Sequence, residues 1–160
     1  YKRRNQSDQE IQVLTEHLTF SADDLEAALR LQELCEQKQQ LDRVVETGRI
    51  IFAIDPFQPT ALSRTATAAE ATGQIEVASR MLGCLLQIQK DDAARLHFRI
   101  ATLLKSTDSK SARRHVLLSL EQAPRYRDAH KLLLQLVPEP LAPSPSESSD
   151  ADTDGPARKK

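Results

Sequence analysis

The chain has 160 residues, which suits one domain with an appendage, and its formal net charge of −1 provides no overall field favouring nucleic acid or an anionic membrane. Aromatic residues make up only 4% and Trp is absent, so a core must consist of Leu, Ile, Val and Ala, most of which suit helices. With only 4 glycines the chain is too poor in turn residues for a β-sandwich or β-barrel.

The N-terminal segment, residues 1–24, carries one predicted helix. Ile11, Leu14 and Leu18 recur at helical spacing and predict this helix near residues 9–20. The basic residues after Tyr1 lack the apolar run of a signal peptide, and no apolar stretch is long enough to predict a membrane span. Because the chain lacks an initiator Met, we expect it to be a piece of a longer protein; its compartment stays open, with the cytoplasm as the default.

Between residues 25 and 137 the apolar residues continue at helical spacing, in short segments separated by polar turns. In chain order the segments carry Leu25, Ala28 and Leu29; Val44, Val45 and Ile51; Leu62, Ala66 and Ala69; Ala78, Leu82 and Leu85; Leu96, Ile100 and Leu103; Ala112, Val116 and Leu120; and Leu132, Leu133 and Leu136. With the N-terminal helix, the pattern predicts about eight short helices. Helices this short are marginal alone and must pack on their neighbours.

The last segment, residues 138–160, differs in composition. It holds five of the eight prolines, four serines and five acidic residues, and it has almost no apolar content. Such a segment cannot bury enough surface to offset the entropy of ordering, so we predict a disordered tail. Pro138 and Pro140 are expected to end the helix before them.

The apolar residues of the middle segment repeat with a constant period. Equivalent residues are equally spaced in the sets Val44, Ala78 and Ala112; Phe52, Leu86 and Leu120; and Ala28, Leu62 and Leu96. This spacing is the period of the tetratricopeptide repeat (TPR), a unit of two antiparallel helices that is about 34 residues long. The chain resembles that family also in the small residues Ala78 and Ala112 of the second helices, in Gly73 between two helices, and in the corner Ile54-Asp55-Pro56.

The resemblance implies an all-α fold, an α-solenoid of antiparallel helix pairs. Three units would cover residues 25–58, 59–92 and 93–126, with a half-repeat before them and a closing helix near residues 127–137. The repeats are degenerate: the usual Tyr of the first helix is replaced by Cys35, Ala69 and Leu103, and Gly48 stands where an aromatic residue is usual. An irregular helical bundle with coincidental spacing is the alternative.

A second resemblance concerns the context of the chain. Residues 113–129 look like the C-terminal repeats that follow a peptidase MA-like metallohydrolase domain in some large bacterial proteins. This resemblance implies that the chain could be the accessory C-terminal arm of a larger enzyme, whose catalytic domain would lie upstream.

Signals for catalysis, cofactors or metals are missing from the chain itself. The four histidines, His17, His97, His115 and His130, include no pair one helical turn apart with a Glu beside it, and no Gly-rich phosphate loop occurs. Cys35 and Cys84 stand far apart in the sequence without a CxxC spacing, which favours buried thiols over a metal site or disulfide. We therefore predict that the chain is not an enzyme and holds no cofactor or metal.

The TPR resemblance implies that the first helices line a concave groove. The predicted groove residues are Glu26, Leu29, Glu33 and Glu36 in the first unit, Ser63, Arg64, Thr67 and Glu70 in the second, and His97, Phe98, Ala101 and Lys105 in the third. A carboxylate clamp is not expected, because only Arg64 among its positions carries a suitable side chain. We predict a scaffold for a protein or peptide partner, without nucleic acid or membrane insertion; an ordinary solvated face and a structural spacer are the alternatives.

Overall fold

The computed structural model describes the backbone of residues 2–136 and the side chains of residues 6–136. Eight α-helices follow one another in this range, and no strand occurs in it. They are α1 (Lys2–Phe20), α2 (Leu25–Gln37), α3 (Leu41–Ile54), α4 (Pro59–Ala71), α5 (Ile75–Ile88), α6 (Ala93–Leu104), α7 (Ser109–Gln122) and α8 (Arg127–Leu136), with a 3₁₀ turn at Lys90–Asp92. The all-α prediction is confirmed. The predicted tail, residues 138–160, lies outside the described residues.

The helices stack in chain order as antiparallel pairs. The first helices of the three units, α2, α4 and α6, begin at Leu25, Pro59 and Ala93, which are equally spaced by one repeat period. Each helix packs against the next one along the chain, and α2 also contacts α4 directly. The predicted solenoid, with the period of the TPR, is therefore the fold of residues 25–136.

Local sequence sets the ends of these helices. Asp24 caps α2, its Oδ1 accepting a hydrogen bond from the Ala27 amide at 3.0 Å, and Asp108 caps α7 by accepting from the Ser111 amide at 3.0 Å. Pro59 begins α4, where its missing N–H and fixed φ cost nothing. The turn between α4 and α5 contains Gly73 at φ 73°, a conformation that glycine adopts without strain.

The N-terminal helix differs from its prediction. It begins at Lys2 rather than near residue 9. The stretch before Gln9 contains no Leu, Ile or Val, so apolar periodicity could not reveal the first two turns. Ile11 and Leu18 of α1 are buried in the same core cluster as Ala28 and Leu31 of α2, so α1 packs on α2 as a second helix packs on the next first helix.

Candidate functional site

A cleft lies between the first helices α2 and α4. It has a volume of about 390 Å³ and is lined by Glu26, Leu29, Arg30 and Glu33 of α2, with Gln58, Thr60 and Arg64 at the start of α4. Four predicted groove residues, Glu26, Leu29, Glu33 and Arg64, are thus brought together. Leu29 is partly buried and packs on the core beneath, so it forms an apolar part of the lining. We refer to this feature as the α2–α4 cleft.

Ion pairs connect each of the first helices, α2, α4 and α6, to an earlier helix. In chain order, Arg30 Nε lies 2.8 Å from Glu10 Oε1, Arg64 Nε lies 2.9 Å from Glu36 Oε2, and Arg99 Nη2 lies 2.9 Å from Glu70 Oε2. Arg99 also donates from Nε to Glu70 Oε1 at 2.9 Å, so this pair is bidentate. Glu36 and Glu70 stand one repeat period apart, and the same link therefore recurs from one unit to the next.

These links engage several residues that were predicted to face a partner. Arg64 and Glu70 are each held by a partner on a neighbouring helix, and Thr67 Oγ1 accepts a hydrogen bond from Arg99 Nη2 at 3.2 Å. Glu33 pairs with Arg30 of its own helix at 3.1 Å. Glu26 differs, because its exposed carboxylate has no ion-pair partner among the described residues. A cationic group that enters the cleft can therefore pair with the Glu26 carboxylate without displacing another ion pair.

In the third unit the predicted groove residues are turned toward α7 and the C-terminal end. His97 Nδ1 lies 3.0 Å from His115 Nδ1 of α7, and the Phe98 ring packs on Tyr126 with the ring centroids 4.9 Å apart. Ala101 is fully buried in the cluster formed with α7 and α8, so the expectation that it faces the groove is wrong. Lys105 is exposed at the end of α6.

The ion-pairing arginine is displaced by one residue in α6. Glu36 and Glu70 are separated by one repeat period, but their partners Arg64 and Arg99 are separated by one residue more. The helix itself keeps its register, because Leu96 and Ile100 are buried just as the residues one period earlier are. Ala101 is buried because it packs in the cluster formed with α7 and α8, which the register of α6 alone does not reveal.

The two histidines form a coupled pair between α6 and α7. Burial lowers the pKa of His97 below its ordinary value of 6.5. Burial, followed by the charges of His97 and Arg114, lowers the pKa of His115 below the same value. Both imidazoles are half-buried, and in the neutral pair one Nδ1 donates a hydrogen bond and the other accepts it.

The described residues offer little for chemistry of other kinds. No group of three or more His, Cys, Asp or Glu side chains in residues 6–136 is arranged to hold a metal ion. Cys35 is buried, and burial raises the pKa of its thiol, while Cys84 is half-buried; both are free thiols. Within the part of the chain that the structure describes, no helix has the length and apolar character needed to cross a membrane.

Two cations of the first-helix face, Arg30 and Arg99, were not among the predicted groove residues. Arg30 lines the α2–α4 cleft, and Arg99 joins α4 to α6. A signal for them is present in the sequence, because Arg30 and Arg64 stand one period apart and Arg99 follows one residue later than the next period. A charged column therefore runs along the repeats beside the apolar columns that predicted the period.

No family model matches the sequence, and no curated protein matches it. Solved structures share the fold. A crystal structure of MamA superposes with a TM-score of 0.63 at 12% identity, covering 84% of this chain and 74% of that one. A MamA fragment from Desulfovibrio magneticus RS-1, running from position 41 to the end, gives a TM-score of 0.59 at 15% identity and covers 84% of this chain and 76% of its own.

YrrB, described as a TPR protein with an unusual peptide-binding site, gives a TM-score of 0.55 at 15% identity. The match covers 77% of this chain and 63% of YrrB. At such identities the likeness shows the fold alone: residues 2–136 form a TPR-like helical repeat.

Proposed function

We propose that this chain is a protein-interaction scaffold that holds a peptide segment of a partner in the α2–α4 cleft. The observation that carries the proposal is the cleft itself, a volume of about 390 Å³ between two first helices. In a repeat of this kind the first helices supply the binding surface. The description of YrrB as a TPR protein with a peptide-binding site supports the same kind of partner for this fold.

The lining of the cleft indicates which segment would fit. Leu29 offers apolar surface, and the amide of Gln58 and the hydroxyl of Thr60 can bond to a peptide backbone. Glu26 supplies a carboxylate without an ion-pair partner among the described residues, whereas Arg64 is already neutralised by Glu36. The partner segment therefore carries an apolar side chain for Leu29 and a Lys or Arg for Glu26.

The proposal includes several expected absences. We propose that the chain catalyses no reaction, holds no cofactor or metal, and binds neither nucleic acid nor the interior of a membrane. Its support is the lack of a recognisable catalytic motif in the sequence and the near-zero net charge. The candidate groove residues Glu70, Thr67, His97 and Phe98 would then contribute through the links they form rather than as direct contacts, whereas Lys105 is exposed and stays a candidate for direct contact.

Two alternatives give different expectations. An accessory arm of a peptidase MA-like metallohydrolase would need a catalytic domain upstream of this chain, and the structures named above lend that hypothesis no support. A structural spacer would bind no peptide at the cleft. A direct binding experiment separates the scaffold from the spacer.

The experiment selects binders from a displayed library of random peptides, using the full chain as bait. Selected peptides are then measured by fluorescence anisotropy against Glu26→Lys/Arg64→Ala, which alters the cleft. Glu76→Lys/Arg80→Ala is the matched control, because both of its residues are exposed on the second helix α5. We expect affinity to fall by about tenfold or more for the cleft variant, the scale of a binding hot spot, and to stay unchanged for the control.

The proposal is wrong if the selected peptides bind both variants equally well, or if the selection yields none that bind the wild-type chain. Enrichment for peptides with a basic residue next to an apolar one supports the assignment of Glu26 and Leu29. Equal melting temperatures of the two variants show that the loss of binding does not come from unfolding.

A further inference from the structure

The helix α7 carries an exposed basic stripe. Lys110, Arg113, Arg114 and Leu117 are all exposed, and their helical spacing places them along one side of the helix. None of the three cations forms an ion pair among the described residues, and the Leu117 side chain is 50% exposed. We refer to these four residues as the α7 basic stripe. It lies on a second helix, apart from the α2–α4 cleft.

The stripe belongs to a strongly cationic part of the chain. Residues 93–136 contain nine Lys and Arg against three Asp and Glu, an excess of six positive charges. Within the described residues, only Arg95, Arg99 and Lys131 of these cations are ion-paired. The excess positive charge is therefore left on the surface of α6, α7 and α8.

The opposite charge follows directly in sequence. Residues 139–154 contain five acidic residues, Glu139, Glu147, Asp150, Asp152 and Asp154, and no Lys or Arg. The charge of this segment is opposite in sign to that of the α7 basic stripe, with five acidic residues against the three basic residues of the stripe. Its proline and serine content leaves few apolar groups, so charge is the main basis on which it could be recognised.

The fold places the start of this segment close to the stripe. The helix α8 follows α7 after a short turn and packs back against it, so the two run in opposite directions. Leu136, the last residue of α8, belongs to the same buried cluster as Ala112 in the first turn of α7. The chain thus leaves α8 near the start of α7, the end of the helix at which the stripe begins.

The length of the segment is also sufficient. The 14 residues of α7 extend for about 21 Å at about 1.5 Å per residue, and the sixteen residues 139–154 can span more than twice that distance when extended, at about 3.3 Å each. Because the segment is tethered next to the stripe, its local concentration there is far above that of a separate molecule.

We propose that residues 139–154 of this chain bind the α7 basic stripe of the same molecule through their carboxylates. The tail thereby covers a cationic surface that another acidic partner would otherwise reach, and such a partner must displace it. Because the contact is electrostatic and at the surface, it weakens as ionic strength rises and the Debye length shortens.

Zero-length carbodiimide cross-linking of the full chain tests this contact, because it joins a Lys amine only to a carboxylate that touches it. At low salt, cross-links from Lys110 or Lys105 to Glu147, Asp150, Asp152 and Asp154 should exceed those from Lys90, an exposed lysine distant in sequence. In the variant Arg113→Glu/Arg114→Glu, the cross-links from Lys110 and Lys105 should fall by about tenfold, as expected when several surface ion pairs are lost together. The same cross-links should also fall at high salt.

The matched control is Arg49→Glu/Arg80→Glu, which changes the net charge equally at exposed positions of α3 and α5. Its cross-links to Lys110 should equal those of the wild-type chain. The proposal is overturned if the tail carboxylates react equally with Lys110 and Lys90, if the control loses cross-links as strongly as the stripe variant, or if the cross-links occur only between two copies of the chain. Unchanged melting temperatures exclude unfolding as the cause.

Discussion

Gly48 marks the closest approach of two helices at any glycine of the described structure. A Cβ added to it would overlap the Thr65 hydroxyl and lie 2.8 Å from Thr65 Cβ. Thr65 is fully buried and cannot easily move, because its hydroxyl donates to the Ala61 carbonyl at 2.7 Å and accepts from Gln32 Nε2 at 2.9 Å. The missing side chain at position 48 therefore makes room for a buried polar contact between α2 and α4.

A pair of glycine substitutions tests this contact. Gly48→Ala should lower the free energy of unfolding by about 1–3 kcal/mol, the usual cost of overpacking, although alanine favours a helix by about 1 kcal/mol. Gly83→Ala in α5 has open space around it and should instead raise stability by about 0.5–1 kcal/mol. Urea unfolding measures both. Stabilisation by Gly48→Ala would show that α3 and α4 do not approach so closely.

At the scale of elements, the histidine pair joins the two helices of the third unit. His97 of α6 and His115 of α7 are hydrogen-bonded while neutral, and the pKa of each is lowered, mainly by burial. The folded state therefore resists protonation at these two sites. Well above pH 6.5, the ordinary pKa, both states are neutral and the contribution to stability is constant.

Acid should therefore loosen this pair of helices. As the pH falls below 6.5, the unfolded chain binds protons that the folded chain does not, and the stability contributed by the pair is lost as the pH falls toward the lowered pKa values. His115→Gln should flatten the fall of the melting temperature between about pH 7 and pH 5, the range in which histidine titrates. The variant and the wild-type chain differ in no other side chain. Parallel curves for variant and wild type would contradict this account.

The helical elements were largely predictable, and the exceptions have physical reasons. Apolar columns such as Val44, Ala78 and Ala112 report which face of a helix is buried, and this fixes period and pairing. The burial of Ala101 depends on how α7 and α8 pack against it, which the pattern of α6 alone does not encode. The pairing of Arg99 with Glu70 was not predicted either, because the spacing of apolar residues does not report which long charged side chains meet between helices.

Across the whole molecule, the core is a series of clusters rather than one centre. One cluster extends from Ile11 of α1 to Ala78 of α5, a second joins α4, α5 and α6, and a third joins α6, α7 and α8. The longest-range packing in the described residues is therefore between neighbouring units. Repeat proteins built in this way behave as nearly one-dimensional arrays, in which damage to one unit is felt chiefly by its neighbours.

Leu132→Ala tests this property at the C-terminal end. Leu132 is only 6% exposed, and its truncation should cost about 2–5 kcal/mol. Leu134→Ala on the same helix is the control, since Leu134 is 76% exposed and a surface change alters stability by about 0.5 kcal/mol or less. In hydrogen-exchange mass spectrometry of the Leu132 variant, peptides from α7 and α8 should exchange faster, while those from α2 and α3 keep their wild-type rates. Equal acceleration in α2 would show instead that the chain opens as one cooperative unit, because the clusters would then be coupled along its full length.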